Sequence, residues 1–460
     1  MDWQALLRKK TVTAALATDD RQNRLCRCLT RLDLIVLGVA QIIGAGIFVI
    51  AGVGVQVAGP GIIVSFLLSG LVAMLAALCY AEMAAMQPVA GGAYSYAYAV
   101  FGEVFAWVIG WDLILEYGMG AATAAVGWSF YLQAFLKEMQ ITLPAWAAGA
   151  ASGQEGGLIN LPAALIVVLL TCILMLRTRT NALVARLLVF FKVGILVLVA
   201  LVGMLYVKPE NWFPLAPKGT FGIIQGASLV FFAYLGFDVV AVTAEEARDP
   251  QRDVPWGIIG SLFICSTLYL AATLVLVGMA PYEQISAEAP FSTIFQQVGL
   301  TWMAGLVGVG ALAGITSVLF TLLLAQPRIL FAMGRDGLLP PWTARLHRRF
   351  QTPHLTTLAC GLLVAASAAF TPIHKLAFLC NIGTLFAFLV VCLGVFTLRW
   401  TRPAAHRPFR IPAGKLVSLL GAAASLALML SMPWDSWLRL LLWLALGLAI
   451  YFVYRVRKRR

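Results

Sequence analysis

Apolar stretches long enough to cross a bilayer core of about 30 Å recur along this chain from one end to the other. Inside a bilayer no water satisfies a backbone N–H or C=O, so a crossing segment must be a helix or part of a closed barrel. Barrel strands alternate apolar and polar residues over about ten positions; these runs are longer and do not alternate. The expectation is an all-α integral membrane protein of about twelve transmembrane helices, read at 32–57, 61–85, 104–135, 159–176, 183–206, 223–244, 256–279, 302–333, 355–370, 376–398, 416–432 and 437–454. Composition agrees, with 61% of the 460 residues apolar and 12% charged, against roughly 45–50% and 25% in soluble domains.

An even number of spans leaves both ends on one side. Placing that side in the cytoplasm puts 27 of the 33 Lys and Arg there and five opposite (Lys137, Lys208, Lys218, Lys375 and Arg439); one, Lys192, falls within a span. This positive-inside pattern predicts a multi-pass protein of the cell inner (plasma) membrane with cytoplasmic termini. The net charge of +13 is spread over the cytoplasmic segments and needs no nucleic-acid partner. The basic tail, 455–460, suits anionic membrane lipids. The first thirty residues are polar and basic and lack the short apolar core and small-residue cleavage site of a signal peptide, so the arm is expected to stay in the mature protein.

Eight cysteines form no disulfide framework. Six lie within or beside spans, and Cys26 and Cys28 make a lone C-x-C on the reducing side without neighbouring His. The four His (His347, His354, His374 and His406) sit near or outside span ends. No metal spacing or nucleophile–base arrangement is recognisable. Neither catalysis, metal nor cofactor is expected.

Two spans are interrupted. The first carries Gly44 and Gly46 near its middle, each costing about 1 kcal/mol relative to Ala inside a helix. The sixth carries Gly236 and Asp238 at mid-depth. Five spans apart, these two run in opposite directions. Matching breaks in oppositely directed helices are the signature of an inverted repeat with its site at the midplane. Taken alone, Gly44 and Gly46 fit close helix packing as well. The domains expected are a basic arm (1–31), a first repeat (32–206), a second repeat (207–398), two further helices (399–454) and the tail (455–460).

Several stretches together carry a resemblance: IIGAGIFV (42–49), PVAGGAYSY (88–96), GWDLILEY (110–117), FAYLGFD (232–238), EEARDPQRDVP (245–255), RDGLLP (335–340) and NIGTL (381–385). In these, and in their order, the chain resembles the amino acid–polyamine–organocation superfamily, within it the cationic amino acid transporter branch and its bacterial relatives. The resemblance implies a LeuT-like core of five plus five helices with helices 1 and 6 broken, and two more at the C-terminal end. It implies a secondary transporter for L-amino acids.

The residues point the same way. If the first span breaks at Gly44–Gly46, free N–H groups and the positive end of a helix dipole face the midplane and suit a carboxylate. The binding residues there are Ile43, Gly44, Ala45 and Gly46. The outer half of the sixth span would end near Phe232, its carbonyls at Phe231, Phe232 and Ala233 accepting from an ammonium. By resemblance the cargo's side chain meets Phe232, Leu235, Glu116 and Leu322, and Phe232 closes over it as a gate. Leu322 favours uncharged side chains and Glu116 cationic ones. Lys192, in FFKVGIL (190–196), is a functional candidate because charge at membrane depth is expensive; snorkelling to the interface is the alternative. By resemblance its ammonium replaces a sodium ion and contacts carbonyls of the first span. A proton loaded and released there makes uptake proton-coupled and sodium-independent. Asp112 and Glu116 are four apart and share one helix face. Asp33, Glu82 and Asp238 are gating candidates; loop anchoring for Asp33 and Glu82, and capping for Asp238, account for them equally.

Three classes compete: a carrier, a channel or amino-acid sensor on the same scaffold, and a membrane enzyme, for which nothing in the sequence speaks. Within the carriers, an exchanger and a polyamine carrier stay open, as does a small membrane partner.

Overall fold

A computed structural model describes residues 29–88, 91–150, 157–175, 182–347 and 352–459. The basic arm up to residue 28 with Cys26 and Cys28, Val89 and Ala90, Arg177 and Arg179, Arg348 and Arg349, and Arg460 lie outside the described residues, as do the side chains of Arg186 and Arg455–Arg459.

The first apolar stretch folds as α1 (Arg31–Ile42), a π-helical turn (Gly46–Ile50) and α2 (Ala51–Ala58); the second is α3 (Ile62–Met86). A short α4 (Gly92–Val100) leads into α5 (Glu103–Glu138), followed by α6 (Leu161–Met175) and α7 (Ala182–Met204). The sixth stretch is α8 (Gly219–Val230), a 3-10 turn (Phe231–Tyr234) and α9 (Asp238–Val242). Then come α10 (Pro250–Met279), α11 (Pro290–Gln297), α12 (Thr301–Arg335), α13 (His354–Phe370), α14 (Ile373–Thr401), α15 (Gly414–Leu430) and α16 (Trp434–Arg459). Among the described residues there is no strand, only two isolated bridges. Among the described residues, eight helical stretches are long and apolar enough to cross a membrane; one of them, Arg31–Met86, runs through two of the expected spans. α6, α13 and α15 are shorter apolar helices. The chain is a multi-pass membrane protein.

The helices fall on the expected stretches, with bounds off by four to six residues at the starts of α8 and α10 and at the end of α16. α10 begins at Pro250, six residues before the apolar run, because Pro at the first helical position gives up an N–H that has no partner there anyway. The short α4 and α11 have no counterpart in the expected spans.

Small residues let α5 sit at the centre. Ala121, Ala122, Ala124 and Ala125 are fully buried, which brings backbones close where lipid supplies no hydrophobic drive between helices. α5 packs most extensively on α12, and α3 on α10. The last helix is fastened to α5 by aromatics. Trp111 and Trp443 stack with ring centroids 4.7 Å apart, and each indole N–H donates to the other residue's carbonyl at 2.9 Å. At the far end of α14, Glu82 of α3 receives Arg399, Arg407 (3.3 Å) and the Ile411 N–H (3.1 Å). That clamp pins the 402–413 loop.

Candidate functional site

The first break is built locally. α1 opens with a capping box in which the Thr30 N–H and hydroxyl donate to Asp33 and the Asp33 N–H donates to the Thr30 hydroxyl. It ends at Ile42; Ile43 is extended (φ −75, ψ 103), and the chain turns helical again from Ala45. A helix restarting there has no preceding turn for its first N–H groups to bond. The α-helix of the sixth span ends at Val230, close to the expected end near Phe232, and the chain is irregular from there to Phe237. Leu235 is extended (φ −67, ψ 148), and Gly236 takes φ +112, a conformation side chains rarely adopt. Residues 231–234 form a 3-10 turn, held to α3 by the Tyr234 hydroxyl donating to the Phe66 carbonyl at 2.8 Å.

The two breaks touch. A Cβ on Gly46 would run into the Cα, Cβ and N of Ala233, and one on Gly44 would stand 2.8 Å from Val318 Cγ2 of α12. Close packing and the interruption are thus properties of the same glycines. Between the breaks lies a cavity of about 40 Å³ lined by Gly44, Ala45, Gly46, Phe232, Leu235, Glu116, Leu322 and Asp238 among the expected residues. Ile43, Phe231 and Ala233 do not line it. Ile43 turns its carbonyl to Lys192 (3.0 Å), Phe231 packs edge-on against Phe388, and Ala233 lies under Gly46. Gln41, Tyr117, Gly120, Val318 and Cys380 also line the cavity and were missed. The spacing from Glu116 could have found Gly120, one turn along the same face.

The polar lining is acidic. The Tyr117 hydroxyl donates to Asp238 Oδ2 at 2.8 Å, and the Cys380 thiol donates to the Glu116 carbonyl at 3.3 Å. Asn381 of α14 donates to the carbonyls of Ser228 and Leu229 at 2.7 and 3.0 Å, holding the last turn of α8. Asp112 is buried behind Glu116 and does not line the cavity.

Lys192 does not snorkel. It is 1% exposed, and its ammonium donates to the carbonyls of Ala40 (2.8 Å) and Ile43 (3.0 Å) and to Ser317 Oγ of α12 (2.7 Å). Two hydroxyls complete the fastening of the broken span: Tyr269 of α10 donates to the Ile42 carbonyl, and Tyr131 of α5 to the Phe48 carbonyl, both at 2.7 Å. Asp33 serves α1 as a cap, and Glu82 anchors a loop through two arginines; both acids have structural work at those positions.

Residues 29–446 match the amino acid permease family. The chain is 42% identical over 451 residues to the methylthioribose transporter of Bacillus subtilis (strain 168), covering 98% of each chain. It is 40% identical over 453 residues to the branched-chain amino acid permease BcaP of the same organism, covering 98% of this chain and 97% of that one. With the vacuolar cationic amino acid transporter 4 of Arabidopsis thaliana it shares 37% identity over 410 residues, 87% of this chain and 68% of the relative. All three are named as transporters or permeases, not enzymes.

Proposed function

This chain belongs to the amino acid permease family, and we propose that it is a secondary active transporter carrying L-amino acids across the cell inner membrane by alternating access. In this reading both termini are cytoplasmic and the chain crosses twelve times. Residues 32–206 and 207–398 are inverted five-helix repeats, 399–454 adds two helices, and the 1–31 arm and 455–460 tail flank them. The pairing of α3 with α10 and of α5 with α12 supports it, since a five-plus-five repeat equates the second span with the seventh and the third with the eighth.

The observation that carries the proposal is the contact of Gly46 with Ala233, which sets the two breaks against one cavity. The helix starting at Gly44–Gly46 offers N–H groups and a dipole end to a carboxylate. Of the Phe231–Ala233 turn, Phe232 lines the cavity and offers its carbonyl to an ammonium. One zwitterion fits between, its side chain toward Phe232, Leu235, Leu322 and Glu116. The cavity's 40 Å³ is room for about three water molecules, so cargo enters only as the walls part, with Phe232 as the gate. Lys192 couples a proton to that movement. Its ammonium has three hydrogens and spends them on α1 and α12. Losing a proton removes a donor and the charge together, which loosens α1 from α12.

Reconstituted vesicles test this. An inward proton gradient drives amino acid accumulation, a sodium gradient does not, and Lys192→Ala abolishes the pH response. Sodium-driven accumulation, or an unaltered pH response in Lys192→Ala, defeats the coupling. Absence of counterflow for every amino acid defeats the carrier and leaves a sensor. A second cargo class has one observation in its favour. Glu116 and Asp238 accept from hydroxyls as well as from ammonium groups, and the methylthioribose transporter is similar over nearly the whole chain. A thermal-shift panel of amino acids, polyamines and methylthioribose separates the classes, because a ligand that binds the folded form raises its melting temperature. Exchange without net accumulation would make the protein an exchanger.

A further inference from the structure

Asp112 stands four residues before Glu116 on α5, so the two carboxyls share one face, with about 5–6 Å between their Cβ atoms. Asp112 is completely buried and Glu116 nearly so. Neither oxygen of Asp112 has a hydrogen-bond partner, nor does Glu116 Oε2. The described ion pairs all lie elsewhere, at Arg31–Asp253 and around Glu82. Two ionised carboxylates at this spacing, with no counter-charge, would each forfeit solvation and repel the other.

The surroundings hold the pair without neutralising it. From α14, Gly383 presses on Asp112, a Cβ there standing 2.9 Å from Oδ1. The titratable groups facing the acids are Asp238 of α9, Cys380 of α14, Tyr117 of α5 itself and Tyr80 of α3. α12 contributes Gln326, whose amide donates to the Ile114 carbonyl at 2.8 Å. No charged side chain described in α6, α12, α13 or α16 bonds either acid. Of the two, only Glu116 reaches the cavity.

We propose that Asp112 is the second station of a proton path along α5, behind the cargo site. The two carboxyls are not hydrogen-bonded here; when the walls part and bring them into reach, a proton taken by Glu116 from the cavity passes to the Asp112 carboxylate. The O–H bond on Glu116 breaks, one on Asp112 forms, and the negative charge moves the other way onto Glu116. The O–H bond on Asp112 then breaks, the proton passing to water when the other side opens. An ionised Glu116 then faces the cavity, so handover and the binding of a positively charged group favour one another. The inference rests on the transporter reading above but assigns a role that reading does not use.

Two measurements on the purified full chain decide it. Infrared difference spectra across a pH titration should contain the carbonyl stretch of a protonated buried carboxyl that Asp112→Asn removes. In vesicles, a one-unit pH gradient sustains up to about tenfold accumulation per coupled proton; Asp112→Asn should bring this to about onefold while counterflow persists. Unchanged spectra in Asp112→Asn, or full accumulation, overturn the proposal. If that variant does not fold, Glu116→Gln replaces it. The Asp112 band should then no longer follow cavity pH, and a band titrating as in the wild type overturns the proposal. A wild-type protein without counterflow would instead sink the transporter reading, while the spectra still report whether Asp112 holds a proton.

Discussion

Gly46→Ala separates the reading of the helix breaks from simple helix propensity. Gly46 opens a π-helical turn and has no positive φ, so propensity alone predicts a gain of at most about 1 kcal/mol from Ala. Its Cβ, however, would enter the Cα and N of Ala233. That obstacle is backbone and cannot rotate away, so the upper end of overpacking, about 3 kcal/mol, applies. The balance is a loss of about 2 kcal/mol, or about a 30-fold weakening of cargo binding if the breaks must separate to accept the methyl. Gly305→Ala in α12 is the control, because nothing lies within 4 Å of its Cβ; there the propensity gain should appear unopposed. Counterflow KM and melting temperature in detergent read both. Wild-type KM and stability in Gly46→Ala, or equal damage from Gly305→Ala, would refute the argument that the two breaks bear on each other.

Tyr269→Phe removes the only hydroxyl donating to the Ile42 carbonyl among the described residues without changing shape. A buried carbonyl left unpaired costs about 1–3 kcal/mol, so the melting temperature should fall; an unchanged value would mean that the end of α1 finds another donor. Glu82→Gln strips the charge facing Arg399 and Arg407, both largely buried. Breaking such a cluster from one side costs about 3–5 kcal/mol, and thermal unfolding should show it, with the 402–413 loop becoming open to proteolysis.

The helical membrane class and the interruptions were legible because lipid leaves few ways to satisfy a backbone and because glycine in an apolar run is conspicuous. Lys192 stood out as a lone charge. Its partners did not: Ser317 is an unremarkable residue of an apolar helix, and its meeting with Lys192 joins elements 125 positions apart. The end of the sixth span's outer helix was legible to within two residues, but the 3-10 turn at Phe231–Tyr234 was not, since it depends on Tyr234 reaching the Phe66 carbonyl, a contact between distant segments. Asp112 could be placed on the face of Glu116 by spacing. That it lies sealed behind the cavity without a partner depends on Gly383, which no local pattern links to it. Ile43, Phe231 and Ala233 were named for their main chain, and none of the three lines the cavity: the Ile43 carbonyl is taken by Lys192, and the Ala233 backbone is covered by Gly46.

The moorings of the first span follow a rule that its glycines alone do not state. The stretch before the gap is tied, through Ala40, Ile42 and Ile43, to α7 and α10. The stretch after it is tied, through Phe48, to α5. A tug on one set of neighbours therefore travels along half a span and stops. The joint owes its freedom less to slack chain than to the two pieces having been made fast to different walls.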